Sequence, residues 1–167
     1  CLKGWLQNQS VRFDRRSGME QAVNTQDIPI RELIRSAQEA RKRAYVPYSG
    51  YAVGAAVLTR ELRIYTGCNI ENASYTPTIC AERCAISKAV SEGSRKFKAI
   101  AVMGGPQGED GGQFAFPCGV CRQVMREFSD PKEFLVITAK SEEEYRVYRL
   151  EQLLPESFGP ENLMKEG

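Results

Sequence analysis

From Ile30 onward the chain alternates between stretches whose apolar residues recur every three or four positions and short runs that are apolar almost throughout. Ile30, Leu33, Ile34, Ala37, Ala40 and Ala44 share one helical face. Pro29 suits the first turn of that helix, and Pro47 bars its continuation, so Tyr45 to Ser49 is a connector. Tyr51 to Leu58 is a mostly apolar run, followed by a polar turn at Thr59 to Glu61 and a second run from Arg63 to Cys68; two hairpin strands are predicted. Gly54, inside the first strand, marks a bulge or a close approach of backbone or ligand. Cys80 to Ser91 predicts a buried helix through Ala81, Cys84, Ala85, Ala89 and Val90, with Gly93 as its stop signal. Ala99 to Met103 is an apolar strand, and Gly104 to Gln113, rich in glycine and polar residues, is a loop. A helix starting around Cys118 to Cys121 and running to Phe128, strands at Phe134 to Thr138 and Tyr145 to Arg149, and a short helix at Leu150 to Leu154 complete a mixed sheet flanked by helices. The Gly104 to Gln113 stretch is either a flap beside a site or a tolerated surface insertion.

Residues 1–27 lack this periodicity and are rich in Gln, Asn, Ser and Arg, so they are expected to be a poorly ordered extension. Residues 28–167 then form a single domain, as a chain of 167 residues with 42% hydrophobic content suggests. The formal net charge of +2 is spread along the chain and gives no cationic stripe for nucleic acid. No apolar run approaches the roughly 18 residues needed to span a bilayer, and the first residues lack the apolar centre of a signal peptide. A soluble, cytoplasmic protein is expected, and its six cysteines are then thiols rather than a disulfide framework.

The chemistry lies in two short stretches, Thr78-Ile79-Cys80-Ala81-Glu82-Arg83 and Phe116-Pro117-Cys118-Gly119-Val120-Cys121. Because the chain has no histidine, triads that need an imidazole base and zinc sites built on histidines are excluded. Cys80, Cys118 and Cys121 supply three thiolates for Zn2+ and leave its fourth tetrahedral position to water. Glu82 is placed to exchange protons there. Cys80 falls at a helix N-terminus, where the dipole lowers a thiol pKa. Asn69 and Glu71, two apart in extended backbone, present an amide and a carboxylate on one face, an arrangement suited to a diol or to a plain surface loop.

Cys-x-Glu followed by Pro-Cys-x-x-Cys is the signature of zinc nucleobase deaminases. Three blocks, GCNIENASYTPTICAER from Gly67 to Arg83, PCGVCRQVMREF from Pro117 to Phe128 and LLPESFGP from Leu153 to Pro160, resemble the small homotetrameric cytidine deaminases over roughly residues 28 to 165. The resemblance implies a three-layer fold with a mostly five-stranded mixed sheet and hydrolytic, zinc-dependent deamination of cytidine and deoxycytidine in pyrimidine salvage. In its terms Glu82 is the single proton carrier, Arg83 drains charge from the sulfur ligands, and Ala81 holds the pyrimidine's polar edge. Asn69 and Glu71 bind the sugar hydroxyls, and Tyr51, where the family has Phe, packs beside the nucleoside. It also implies a homotetramer whose sites are completed across subunits, with Phe158 stacking on a neighbour's base and Tyr75 nearby. A sugar whose 3'-hydroxyl is captured must have that hydroxyl free, which excludes the interior of a polynucleotide.

Two other readings compete. Cys80 and Cys84 are four apart on a helix and with Cys118 and Cys121 permit a closed four-thiolate structural site, in which Cys84 is a ligand instead of a buried bystander. A polynucleotide-editing deaminase would run the same chemistry but needs a cationic track and stacking surface that this charge balance does not suggest.

Overall fold

The computed structural model describes Thr25 and residues 27–163. The extension expected over 1–27 lies outside the described residues except for Thr25 and Asp27. The elements follow in the order α1 (Ile30–Arg41), β1 (Tyr51–Thr59), β2 (Ile64–Cys68), α2 (Ala81–Ser91), β3 (Phe97–Pro106), α3 (Gly119–Glu127), β4 (Leu135–Ala139), β5 (Tyr145–Arg149) and α4 (Leu150–Leu153). A five-stranded sheet runs β2-β1-β3-β4-β5. Its β3–β4 pair, joined through α3, is parallel and the other pairs are antiparallel.

Side-chain alternation along the strands sorts the core into two layers. Ala56, Leu58, Ala99, Ala101, Met103, Leu135 and Ile137 meet Leu33, Ile34 and Ala37 of α1 on one face. Ala55, Val57, Ile100, Val102 and Val136 meet Ala81, Ala85, Ile86 and Ala89 of α2 and Cys121 and Met125 of α3 on the other. The three-layer expectation therefore holds, and α2 and α3 share the face on which the thiols lie.

Local departures from the sequence-based expectations have physical causes. Pro29 is the N-cap of α1 rather than part of its first turn, and α1 ends at Arg41, well before Pro47. Strand β3 continues through Gly104, Gly105 and Pro106, which were expected in the loop, because β1 offers pairing partners as far as Tyr51. Here a neighbouring strand overrides the weak β-propensity of glycine. The remaining loop is docked rather than free. Gln113 N donates to Gly104 O (2.6 Å) and Gly112 N to Lys140 O (3.2 Å), the Phe114 ring lies against Lys140 and Arg146, and Phe116 meets Tyr148 edge-on.

Gly54 settles as a close backbone approach. A Cβ there would lie 2.0 Å from Ala37 O and 2.4 Å from Arg41 N, so α1 rests directly on β1 with no room for a side chain. Gly67 plays the same part for α2, with Ala85 N at 2.4 Å and Ala81 O at 2.7 Å from its would-be Cβ. Gly54→Ala must push α1 off the sheet. It is expected to lower stability by about 3 kcal/mol or more, the upper end of overpacking costs, read as a shift of the urea unfolding midpoint.

Candidate active site

Cys80 and Cys118 occupy equivalent positions in different segments, each being the N-cap of the helix that follows, with extended backbone (φ −75°, ψ 154° and φ −68°, ψ 167°). Each residue ends an extended approach, so its Sγ sits at the N-terminal end of its helix. Cys121 sits in the first turn of α3 and is fully buried. The Sγ atoms of the three all lie within 4.8 Å of one another, with Cys80 to Cys118 at 4.0 Å and Cys118 to Cys121 at 3.6 Å. Zn–S bonds of about 2.3 Å at tetrahedral angles place sulfurs about 3.8 Å apart. The triangle therefore suits a Zn2+ ion with one position left open. Cys84 lies outside this group. It is half-buried rather than fully buried, and its Cβ packs over Gly67, while Ile86 and Glu82 take inward positions that the sequence pattern had not given them.

The charges are arranged around one thiolate. The hydrogen bond from Cys121 holds the Cys80 thiol down to about 5, and the guanidinium of Arg83 and the Cys118 thiol add to this. The same hydrogen bond, together with burial, pushes the Cys121 thiol up. The two directions favour charge on Cys80 over Cys121; a bound metal ion deprotonates its thiol ligands outright. Arg83 Nη2 lies 4.0 Å from Cys80 Sγ and donates to Thr78 O at 3.0 Å, so it both faces the sulfur and fixes the approach to it. Glu82, only 4% exposed, is in the first turn of α2. Burial pushes its carboxyl up, and the charge on Cys80 adds to the rise, the direction that suits a proton carrier working near neutral pH.

The other residues singled out from the sequence sit as follows. Ala81, fully buried, opens α2 between the thiol and the carboxylate. Tyr51 is half-buried, and its ring packs over Gly104, whose would-be Cβ would be 2.9 Å from the phenol oxygen, on the sheet face shared with α2 and α3. Asn69 is tied to β1 at both ends, with Oδ1 accepting from Val53 N (2.8 Å) and Nδ2 donating to Tyr51 O (2.9 Å). Glu71 Oε2 accepts from Tyr48 N and Ser49 N; the Ser49 hydroxyl, followed by these amides, holds its carboxyl below the usual range. Tyr75 and Phe158 are 75% and 59% exposed, and among the described residues no hydrogen bond, ion pair or ring contact joins either of them to the thiols. Tyr75, at φ 55°, faces Tyr48 with centroids 6.4 Å apart.

Several arginines that tie separate segments together were not legible as such in the sequence. Arg41, 6% exposed, donates to Ala52 O, Pro106 O and Gly111 O. Arg122 donates to Pro117 O and Leu153 O, and Arg126 binds Ser157 Oγ and Glu161. An arginine on an amphipathic helix normally points to water, and most of the oxygens that hold these are brought near only by the fold. A cleft of about 870 Å3 lies away from the thiols, at the far ends of β3 and α3, and mixes Arg95, Lys96, Lys98 and Lys132 with Glu127 and Asp130.

A model of the cytidine and deoxycytidylate deaminase zinc-binding region matches residues 28–138. The chain belongs to that family. A cytidine deaminase of Sporosarcina psychrophila is 43% identical over 134 residues, which is 80% of this chain and 94% of that protein. A probable cytidine deaminase of Dictyostelium discoideum is 42% identical over 135 residues, covering 81% and 87%. Among solved structures, the cytidine deaminase of Burkholderia pseudomallei matches with a TM-score of 0.68 at 43% identity, covering 76% of this chain and 97% of that one. That of Mycobacterium tuberculosis gives 0.68 at 39%, covering 80% and 99%. The matched region is the family's zinc-binding region, and within it Cys80, Cys118 and Cys121 form a cluster able to hold a metal ion. If Cys84 is no ligand, Cys84→Ser is expected to keep one zinc per chain, while Cys118→Ser loses most of it. Metal content by atomic absorption checks this, and loss of zinc from Cys84→Ser would restore the four-thiolate site.

Proposed function

We propose that the chain catalyses the hydrolytic deamination of cytidine and deoxycytidine to uridine and deoxyuridine with release of ammonia. The observation that carries this is the buried Glu82 carboxyl against a cluster of three thiols rather than four. A structural zinc module needs four ligands and has no use for such a carboxyl. A zinc ion held by Cys80, Cys118 and Cys121 would supply Lewis acidity and lower the pKa of water at the site toward about 7.

The chain's own groups do the rest. Glu82 accepts a proton from the attacking water and delivers it to N3 of the cytosine ring as C4 gains oxygen. It then carries the proton of the new C4 hydroxyl to the amino group, the C4–N bond breaks as C4=O forms, and ammonia leaves. Arg83 offsets the charge gathered on Cys80, so three anionic sulfurs do not cancel the acidity of the metal. Tyr51 walls the nucleoside and Ala81 holds its polar edge. Glu71 accepts a sugar hydroxyl, and Asn69, fixed to β1, lies beside it.

The reading extends to a homotetramer acting in the cytoplasm on free nucleosides in pyrimidine salvage. Tyr45, Tyr48, Ile70, Tyr75, Phe116, Val120 and Phe158 are all exposed apolar residues on segments adjoining the site, more than a monomer surface usually shows in one region. Phe158 and Tyr75 would meet a neighbour's site there. The five free thiols among the described residues suit a reducing compartment. No helix of the described residues is long and apolar enough to cross a membrane, and the net charge of +2 suits a small substrate better than a polynucleotide.

Two measurements test this. Glu82→Gln keeps size and zinc but cannot shuttle a proton, so turnover of cytidine is expected to fall by at least roughly 10⁴-fold, the upper end for general acid–base catalysis, because one group serves several transfers. A zinc-loaded variant with near-full activity would defeat the mechanism. Analytical ultracentrifugation is expected to give a tetramer that loses activity on dissociation, and a fully active monomer would remove Phe158 and Tyr75 from the site.

A further inference from the structure

The three thiols do not receive equal support from the backbone. Cys121 is inside α3. The approach to Cys80 is stitched to a neighbouring segment, with Ile79 N donating to Ile70 O and Ile70 N to Ile79 O, each at 3.0 Å. The approach to Cys118 has nothing equivalent. Among the described residues, Phe114 to Pro117 take part in no backbone–backbone hydrogen bond, and Pro117 has no N–H to give. Cys118 is also the one exposed sulfur of the three. Pro117 itself is buried, and its carbonyl accepts one hydrogen bond, from Arg122 Nε at 2.8 Å. The same guanidinium donates through Nη1 to Leu153 O at 2.6 Å, the last residue of α4. Because the guanidinium is planar, these two bonds fix its orientation as well as its position.

We propose that Arg122 is the positioning residue of the metal centre: by holding the Pro117 carbonyl against the end of α4 it sets the direction of the Cys118 sulfur and thereby slows loss of zinc. Arg122 touches neither sulfur nor substrate, and acts on the ligand through the peptide that precedes it. It differs from Arg83, which faces a sulfur directly. A rotation at Pro117 would swing Cys118 Sγ out of the triangle, and among the described residues no other hydrogen bond in residues 114–117 opposes it.

The test reads the metal and not catalysis, so it stands apart from the substrate assignment, although it rests on the three thiols as zinc ligands. Zinc release from the fully loaded protein into a chromogenic chelator is timed for the unaltered chain, Arg122→Met and Gln123→Ala. Arg122→Met is expected to release zinc about 10- to 100-fold faster, the range typical of losing an outer partner of a metal ligand. Gln123 is the control, because it ties the same helix to the same C-terminal segment, Nε2 to Phe158 O at 3.0 Å, without touching Pro117; its variant is expected to stay within about twofold of the unaltered protein. In the cobalt-substituted protein, Arg122→Met is expected to weaken the sulfur-to-metal charge-transfer absorption and Gln123→Ala to leave it unchanged. Release from Arg122→Met within twofold of the unaltered rate overturns the proposal. So does equal acceleration in Gln123→Ala, which would mean that any loosening of α3 from the C-terminal segment has the same effect. If Arg122→Met does not fold, Arg122→Lys, whose single ammonium cannot serve both carbonyls with the geometry of the fork, is read by the same two comparisons.

Discussion

Two helix N-termini must meet on one face of the sheet, and most of the chain's other features follow from that. The N-caps of α2 and α3 are both cysteines. Bringing their sulfurs to 4.0 Å requires that both helices lie on the same side of β1 and β3, with α2 close enough for its backbone to touch the sheet. Gly67 permits that contact. The parallel β3–β4 crossover puts α3 beside α2, and the small residues Ala81, Ala85 and Ala89 let α2 lie flat on the strands. The convergence also has an electrostatic side. Two helix dipoles point their positive ends at the same spot, a setting in which thiolate charge is tolerated before any metal arrives.

The carboxylate gains its character from that geometry rather than from its sequence neighbours. Glu82 is one residue beyond Ala81 in the first turn of α2, a position where an acidic side chain usually reaches into water and complements the dipole. Here the turn is capped by the metal segment, so the side chain is enclosed and its carboxyl holds its proton more tightly. Arg83, the next residue, is turned back along the chain toward Thr78 O and keeps only partial contact with sulfur.

What could be read from the sequence divides along these lines. The helix starts at Cys80 and Cys118, the hairpin and the composition of the thiol cluster were legible, because each is encoded by residue types at short spacing. The reach of β3 through Gly104–Pro106 was not, since glycine gives no local strand signal and the pairing that holds it comes from Tyr51, Ala52 and Val53 about fifty residues earlier. Burial of Glu82 and Ile86 ahead of Cys84 and Val90 was not legible, because the buried face of α2 is set by where the helix lies on β1 and β2 and not by periodicity within α2. Arg41, Arg122 and Arg126 carry no local signal for a related reason: Pro106 O and Gly111 O for the first, Leu153 O for the second, and Ser157 Oγ and Glu161 for the third all come from segments distant in sequence.

Arg41 acts as a mechanical clamp on the loop that follows β3. One guanidinium grips the carbonyls on both sides of the turn that follows β3, Pro106 at 2.7 Å and Gly111 at 3.1 Å, and is braced against the start of β1 at Ala52. The feet of the loop are thus stapled to a helix on the opposite face of the sheet from the thiols, while a Cβ added at Gly108 or Gly111 would meet open space. Deformation of the tip between those feet is absorbed by α1 before it can travel along the chain to Pro117. The tip is therefore a place where length and composition can drift, or a foreign segment be spliced in, with the metal-binding end of the domain insulated from the change.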